Sequence, residues 1–312
     1  MNKIKIVYMG TPDFSVLPLE KLNNEYDVAL VVTQPDKQIG RKKEIKYSPV
    51  KEFALNNNIK IFQPVNIKNE YKNIIDLNPD IIITCAYGQI IPKELLEFPK
   101  YGCINIHASL LPKLRGGAPI HKAIINGYEK TGVTIMYMDE KMDSGDIIYQ
   151  EEVKIEENDD AGTLFDKLSL LGSKMIIDIL PSILNGTNNR TVQNEEEVTY
   201  AYNITREEEK INFDNKTKNV YNQIRGLHPW PVGYTLLDDK KVKIFKSKIG
   251  TSKKEGLPGQ IINVYDDSIG VKTNDGEILI MELQFEGKKK ISVKDYLNGI
   301  HDKNVILNKI FK

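Results

Sequence analysis

The sequence predicts a doubly wound, Rossmann-like α/β domain followed by a small OB-like β-barrel domain. In the first half of the 312 residues, short apolar strands alternate with helix-like segments, which is typical of a parallel sheet covered by helices. In the second half, five short strands are separated by Gly, Asp and Asn, a pattern that favours a small barrel. A polar stretch separates the halves, so we predict a first domain over 1–188, a linker over 189–208 and a second domain over 209–312.

Apolar periodicity predicts the elements of both domains in chain order. In the first domain, strands are expected at 4–9, 28–33, 59–62, 81–86, 103–107 and 133–138. Helices are expected near 50–57, 68–77, 93–98, 119–126 and 163–184, with Thr11 and Pro12 as the N-cap and first residue of an earlier helix. In the second domain, a helix is expected at 217–226 and strands at 234–237, 241–247, 259–264, 270–273 and 278–283.

The charges are unevenly distributed although the formal net charge is zero. Residues 209–312 carry 19 Lys or Arg against 13 Asp or Glu, while residues 1–208 carry 24 against 30. The loop 34–49 holds five cations and two acids. A basic tail domain and a basic loop suit a polyanion such as nucleic acid, but a lysine-rich composition and a solvated surface loop explain the same charges, and both interpretations stay open.

Composition argues against several other classes of protein. Two cysteines, Cys85 and Cys103, are too few for a disulfide framework and fall in predicted core strands, so we expect buried thiols and a cytoplasmic protein. The four histidines are scattered and no Cys-x-x-Cys occurs, so no metal is expected. We find no apolar run approaching the roughly 20 residues that cross a bilayer, and expect no membrane contact. The first strand–helix turn lacks Gly-x-Gly-x-x-Gly, which disfavours a nucleotide cofactor.

One strand carries the residues best suited to chemistry. Asn105 and His107 are two apart, so both side chains project from the same face at the carboxyl end of the strand, where α/β sheets place their ligands. The segment 142–146 brings acids after the next strand, with Asp143 the leading candidate and Asp139 and Asp146 as competitors. An amide can donate to an oxyanion, an imidazole can move a proton and a carboxylate can orient the imidazole, which together indicate acyl transfer.

One alternative interpretation of this strand remains open, and a covalent mechanism is disfavoured. A lone histidine is commonly a hydrogen-bonded core residue, and only the neighbouring amide and acids favour catalysis here. A serine nucleophile is disfavoured, because Ser109 lacks the Gly-x-Ser-x-Gly elbow that would activate it.

At this point the motifs resemble a known family. The run Cys-Ile-Asn-Ile-His-Ala-Ser-Leu-Leu-Pro at 103–112, the Asp-Ser-Gly-Asp at 143–146 and the Gly-Thr-Pro-Asp-Phe at 10–14 resemble the formyltransferases that use 10-formyltetrahydrofolate. Within this superfamily, the chain most closely resembles the methionyl-tRNA formyltransferases. That closer likeness depends on the basic loop 34–51, the Trp-Pro-Val-Gly at 230–233 and the two-domain length.

The resemblance implies a formyltransferase domain, a tRNA-binding barrel and a transfer of the formyl group from 10-formyltetrahydrofolate to the α-amine of methionyl initiator tRNA, the product serving translation initiation. It assigns catalysis to Asn105, His107 and Asp143. It assigns donor binding to Ser109, Leu110, Leu111, Pro112, Tyr87 and Gly88, and tRNA binding to Arg41, Lys42 and Lys43. Lys42 follows Arg41 where many relatives have a glycine, a departure that affects the fine contacts of the loop.

Two rival functions share parts of this pattern. A formyltransferase acting on a small amine, such as an amino-sugar nucleotide or glycinamide ribonucleotide, would use the same catalytic trio but neither the basic loop nor the basic tail. An RNA-binding protein with a relic catalytic fold would bind tRNA without turnover. We further expect a cytoplasmic monomer whose partners are methionyl initiator tRNA and the folate donor.

Overall fold

The computed structural model describes residues 4–39 and 44–312, which divide into two compact units interleaved along the chain. The first unit contains Met1–Pro119, Lys130–Lys154 and Phe165–Tyr202. The second contains Ile120–Glu129, Ile155–Leu164 and Asn203–Lys312. The limits 1–188, 189–208 and 209–312 stay a prediction.

A seven-stranded sheet organises the first unit, in the order β5-β2-β1-β6-β7-β8-β9. The strands from β5 to β7 run parallel, whereas β8 is antiparallel to both β7 and β9. Within the basic loop 34–49, β3 and β4 pair as a separate antiparallel hairpin. In chain order the strands are β1 Lys5–Gly10, β2 Asp27–Val32, β3 Lys37–Ile39, β4 Glu44–Lys46, β5 Ile61–Phe62, β6 Ile81–Cys85, β7 Cys103–His107, β8 Lys130–Tyr137 and β9 Ile147–Lys154. The predicted α/β class is confirmed, and the antiparallel edge with β9 is an addition that the sequence pattern did not reveal.

The central strands are buried because both faces of the sheet are covered. Ile81, Ile82 and Ile83 in β6 are fully buried, and each such side chain contributes about 1.5–3 kcal/mol relative to leaving it in water. The free thiols of Cys85 and Cys103 are also buried, as predicted. Burial raises the pKa of the Cys85 thiol to about 12, so the thiol stays protonated and unreactive at neutral pH.

Helices connect the strands, with two local differences from expectation. Thr11 is not an N-cap: its Oγ1 donates to the Tyr87 carbonyl, and Pro12 precedes a 3₁₀ turn at Asp13–Ser15. The single helix expected over 68–77 is two short turns. The helices are α1 Val16–Glu25, α2 Pro49–Asn56, α3 Ile67–Glu70, α4 Lys72–Ile75, α5 Lys93–Leu96, α6 Pro119–Ile125 and α7 Ala161–Asn185.

The long helix α7 packs against the start of the first unit. The Ser169 hydroxyl donates to the Phe14 carbonyl at 3.0 Å, and the Phe14 and Phe165 rings meet edge to face at 5.2 Å. By length and composition this helix would suffice to cross a membrane, although Asp166, Lys167, Lys174 and Asp178 interrupt its apolar sequence. A core helix of a soluble protein meets the same criterion, and α7 buries a stripe of apolar residues at helical spacing: Leu168, Met175, Ile176, Leu180 and Ile183.

The second unit is built on a curled antiparallel sheet in the order β10-β11-β14-β13-β12, with β15 pairing β14. All five predicted strands are present, and helix α8 has the predicted limits. An apolar cluster that includes Val242, Val271 and Ile280 fills the interior. The elements are α8 Thr217–Gly226, β10 Tyr234–Leu237, β11 Lys240–Ile249, β12 Ile261–Val264, β13 Ile269–Lys272, β14 Glu277–Phe285, β15 Ile291–Ser292 and α9 Val293–Asn298.

Residues 308–312 join the two edges of this sheet. Lys312 exchanges backbone hydrogen bonds with Leu236 in β10, at 3.1 and 2.9 Å. Ile261 at the start of β12 donates to the Lys309 carbonyl at 2.8 Å, and Phe311 donates to Gly259 at 2.8 Å. Because the same short segment satisfies both edge strands, the sheet closes on itself in the barrel-like manner that the sequence predicted.

Candidate active site

Strand β7 positions Asn105 and His107 at the carboxyl end of the parallel strands. Asn105 lies opposite Thr84 of β6, and His107 lies opposite Thr134 of β8. His107 is 6% exposed, while Asn105 is half-buried. The two side chains therefore share one face at the point where the sheet changes from parallel to antiparallel.

The Asn105 amide is oriented by its neighbour on β6. The Thr84 hydroxyl donates to Asn105 Oδ1 at 2.8 Å. With Oδ1 accepting this bond, the two Nδ2 hydrogens have no hydrogen-bond partner among residues 4–39 and 44–312. The site thus holds a fixed amide donor that is available to a ligand oxygen.

The His107 imidazole is held between a carbonyl and a carboxylate. Nε2 lies 3.1 Å from the Leu114 carbonyl oxygen, and because a carbonyl can only accept, Nε2 carries a proton. Nδ1 faces Asp143 Oδ2 at 3.7 Å, which is beyond direct hydrogen-bond distance. Nδ1 is consequently the ring nitrogen left for a substrate or a bridging water.

Asp143 occupies a strained position in the loop after β8. Its φ is +52°, and its Oδ2 accepts a 2.8 Å hydrogen bond from the Gly116 N–H. The competing acids are engaged elsewhere, since Asp139 accepts from the Ser144 hydroxyl and Asp146 pairs with Arg190. The geometry therefore brings Asp143 to the imidazole.

The buried pair of Arg115 and Gln193 holds the loop that contains Asp143. Gln193 is 5% exposed, and its Nε2 donates to the carbonyls of Asp143 and Gly145, both at 2.8 Å. Its Oε1 accepts two hydrogen bonds from Arg115, which is 3% exposed. The sequence interpretation missed Gln193 because it lies in the polar stretch assigned to a linker, and no local signal distinguishes it there.

The predicted donor-binding residues are placed in two different ways. The Ser109 hydroxyl donates to the Lys113 carbonyl at 2.7 Å and so stabilises the turn that follows β7. Leu110 and Pro112 are half-buried, while Leu111 is 3% exposed. These contacts leave the donor-binding role of the segment 109–112 a prediction.

Tyr87 and Gly88 lie at the end of β6. The Tyr87 ring packs in the core cluster with Met9 and Ile82, and burial raises the pKa of its hydroxyl. Its carbonyl accepts from the Thr11 hydroxyl and the Gln34 amide. The ring and the carbonyl of Tyr87 are thus both engaged within the protein, and contact of Tyr87 and Gly88 with a donor stays a prediction.

The first unit has a cavity of about 620 Å³, and its lining includes Ser144, the residue that follows Asp143. Met138 contributes to its wall, and the Met138 sulfur lies 3.2 Å from the Thr84 hydroxyl that orients Asn105. The cavity is of the size that small-molecule ligands occupy. The sequence interpretation had named two other lining residues, Asp139 as a competing acid and Ser144 within the 143–146 motif, but it did not identify Leu96, Lys141 or Glu195.

Arg41, Lys42 and Lys43 lie outside the described residues. The base of their loop is anchored by an ion pair of 2.6 Å between Lys51 and Asp36, and the hydrogen bond from Lys51 lowers the pKa of Asp36. In the part of the chain that the structure describes, no group of three or more His, Cys, Asp or Glu side chains is placed to hold a metal ion.

Comparison with known proteins identifies relatives over the whole chain. Residues 3–180 match the family model for formyl transferase, and residues 203–301 match the model for the formyl transferase C-terminal domain. The methionyl-tRNA formyltransferase of Lysinibacillus sphaericus (strain C3-41) is 51% identical over 302 residues, covering 96% of each chain. That of Bacillus cytotoxicus is 52% identical over 300 residues, covering 95% of this chain and 96% of the relative.

A solved structure shares the fold at low sequence identity. It is WlaRD, a sugar 3N-formyl transferase determined in the presence of dTDP and 5-N-formyl-THF. The TM-score is 0.66 at 24% identity, with 93% of this chain and 100% of that chain covered.

Proposed function

The chain belongs to the formyltransferase family, and on that premise we propose that it transfers the formyl group of 10-formyltetrahydrofolate to the α-amine of methionyl initiator tRNA. The product, N-formylmethionyl-tRNA, serves translation initiation. The observation that carries the proposal is the unpartnered Nδ2 of Asn105 on the same strand face as the His107–Asp143 pair. The 51% identity to a methionyl-tRNA formyltransferase over both domains supports the choice of acceptor.

Asn105 supplies the oxyanion donor. The acceptor amine attacks the formyl carbon, and the formyl oxygen becomes negatively charged as the new C–N bond forms. Nδ2 belongs to an amide whose Oδ1 accepts from the Thr84 hydroxyl, so it donates to that oxygen without reorganising. Such preorganised donors contribute more to the transition state than to the ground state.

His107 and Asp143 transfer the proton of the attacking amine to the leaving N10 of the folate. The attacking nitrogen must lose one proton, and N10 of the folate must gain one as its bond to the formyl carbon breaks. Since the Leu114 carbonyl occupies Nε2, we assign the transfer to Nδ1, directly or through a water that binds Nδ1 and Asp143 from the side. When protonated, Nδ1 also donates to the oxyanion.

We assign the donor to the cavity that Met138 and Ser144 line. Leu96 and Met138 offer apolar surface for the ring system, and Lys141 at the rim offers a cation for the carboxylates of the tail. We place the formyl end of the donor at Asn105, next to Met138, with the segment 109–112 on the opposite side. The expected contacts of Tyr87 and Gly88 are then through their backbone.

A role for the basic loop is expected with a tRNA acceptor and not with a small amine. We expect Arg41→Ala/Lys42→Ala/Lys43→Ala to raise the KM for methionyl-tRNA and to flatten its salt dependence, because each lost phosphate contact lowers the salt slope by about 0.7–0.9. The assay combines 10-formyltetrahydrofolate with charged initiator tRNA and scores formylmethionine over a salt series.

A charge-matched control is Lys21→Ala/Lys60→Ala/Lys100→Ala, three exposed lysines of the same unit, which should leave the KM unchanged. An enzyme for small amines would give no tRNA product and would formylate an amino-sugar nucleotide instead. A relic RNA-binding protein would bind the tRNA without turnover. Either outcome contradicts the proposal.

Gln193 is a positioning residue for the carboxylate. Gln193→Glu keeps an acceptor for Arg115 but cannot donate to the carbonyls of Asp143 and Gly145, so the loop loses both hydrogen bonds from Gln193. We expect kcat to fall about 10- to 100-fold, the effect of a small displacement of a catalytic group, with little change in the KM for tRNA. Val192→Ala, at a neighbouring side chain that is 79% exposed, is the control. Equal kcat in both variants would show that the pair does not position Asp143.

The proposal includes a cytoplasmic monomer with a linker at 189–208 between domains at 1–188 and 209–312. Light scattering on the purified protein tests the monomer, which has a mass of 35.6 kDa. Limited proteolysis tests the linker, and cleavage is expected away from Thr191, Thr199 and Ala201, whose backbone is hydrogen-bonded to the first unit.

A further inference from the structure

A short strap over residues 199–202 is attached directly to the loop that holds the catalytic groups. The Arg115 N–H donates to the Thr199 carbonyl at 2.9 Å, and Ala201 donates to the Arg115 carbonyl at 2.7 Å. Ala118 in turn donates to Ala201 at 2.9 Å. The residues on either side of Arg115 are the ones that contact His107 and Asp143, so the strap is continuous with the active site.

The strap alternates between inward and outward side chains, as an extended chain must. Ala201 is fully buried, whereas Tyr200 and Tyr202 are 49% and 62% exposed. The two outward rings stack with centroids 5.4 Å apart and planes at 1°. Among the described residues, neither tyrosine has another hydrogen bond or ring contact, and Tyr202 is the more exposed of the two.

An exposed stack of two aromatic rings is suited to bind another flat ring, such as an unpaired nucleic-acid base. A flat base can stack on two parallel rings as a third parallel plane. Unpaired bases of single-stranded RNA bind aromatic side chains of proteins in this way. The aminoacyl end of a tRNA is single-stranded, and its last base is joined through one ribose to the ester that carries the reacting amine. When that amine is at Asn105 and His107, the ester and one ribose limit how far the base can lie from the loop to which the strap is attached.

We propose that Tyr200 and Tyr202 form a stacking platform for the terminal unpaired base of the tRNA acceptor. This inference rests on the proposed function and adds a binding subsite to it. The platform holds the end of the acceptor strand so that the amine reaches the formyl carbon, and it reads the base by its flat face and not by its hydrogen-bonding edge. It therefore binds the strand without selecting one base over another.

The test compares loss of the rings with loss of the hydroxyls alone. We expect Tyr200→Ser/Tyr202→Ser to raise the KM for methionyl-tRNA about 10- to 100-fold, the usual effect of losing one base stack. Tyr200→Phe/Tyr202→Phe keeps the stack and should behave as the unmodified chain. Tyr149→Ser, at a 41% exposed tyrosine on the edge strand β9, is the control for loss of a surface ring.

Two further readouts separate recognition from structural damage. With 2-aminopurine as the terminal base of the tRNA, stacking should quench its fluorescence on binding to the unmodified and Phe forms but not to the Ser form. Formylation of methionine methyl ester, which has no base, should be equal in all forms. Unquenched fluorescence with the unmodified chain, an unchanged KM in the Ser form, or a parallel loss with the ester would each overturn the platform. If the unmodified chain made no formylmethionyl-tRNA, the proposed function itself would fail instead.

Discussion

Asn105→Ala is expected to lower kcat for formyl transfer about 10²- to 10³-fold, the usual effect of removing one oxyanion donor. The KM for tRNA should change little, because the amide contacts the developing charge and not the bound acceptor. The physical reason is the fixed orientation of the amide, whose Oδ1 accepts from Thr84 at 2.8 Å and whose Nδ2 points free. Steady-state kinetics at saturating donor measures the two parameters separately.

Thr84→Val provides the matched control for orientation. It removes the hydroxyl that holds the amide but leaves the amide in place, so kcat should fall by less than in Asn105→Ala. If Thr84→Val were as damaging, the loss would come from disruption of the buried strand, since Thr84 is 2% exposed. An unchanged kcat in Asn105→Ala would remove the oxyanion role altogether.

His107→Ala and Asp143→Ala should also lose turnover strongly while binding tRNA almost normally. The imidazole and carboxylate act on the proton, and neither is expected to hold the acceptor strand. The measurement pairs kcat with a direct tRNA binding assay. A comparable loss of tRNA affinity in either variant would show that the assigned roles are wrong.

Gly116→Ala is expected to abolish most activity and to lower the free energy of unfolding. Gly116 has a φ of +124°, and an added Cβ would lie 2.7 Å from the Ala201 carbonyl oxygen. A residue forced into such a conformation costs about 1–3 kcal/mol, and relief of the clash requires the loop to move. Because the Gly116 N–H donates to Asp143 Oδ2, that movement releases the carboxylate from its position beside His107.

Gly186→Ala separates strain from function. Gly186 also has a positive φ, +69°, but nothing lies within 4 Å of an added Cβ. We expect it to lose about 1 kcal/mol of stability and to keep full kcat. Urea denaturation measures the stability of both variants, and steady-state kinetics measures their kcat. A Gly116→Ala protein with normal kcat would show that the contact between the strap and Gly116 does not position Asp143.

Local pattern predicted much of the architecture. The limits of β7 at Cys103–His107 and of α8 at Thr217–Gly226 agree with expectation, because an apolar run bounded by turn residues and an apolar period of 3.6 are properties of neighbouring residues. The strand Ile147–Lys154 was missed since Gln150, Glu151 and Glu152 make it read as polar. It forms because β8 offers it a ladder of hydrogen bonds.

The candidate site also has features that the sequence predicts and features that depend on the tertiary structure. By itself the sequence determined that Asn105 and His107 share a face, because two residues in one strand differ by a full period of the pleat. Only the tertiary structure decided which acid meets the imidazole and what holds it there. Gly116 reaches Asp143 across 27 residues and Gln193 reaches it across 50. Contacts between residues so distant along the chain leave no periodic or compositional trace, and they exist only once the strands have paired and the loops between them have been brought together.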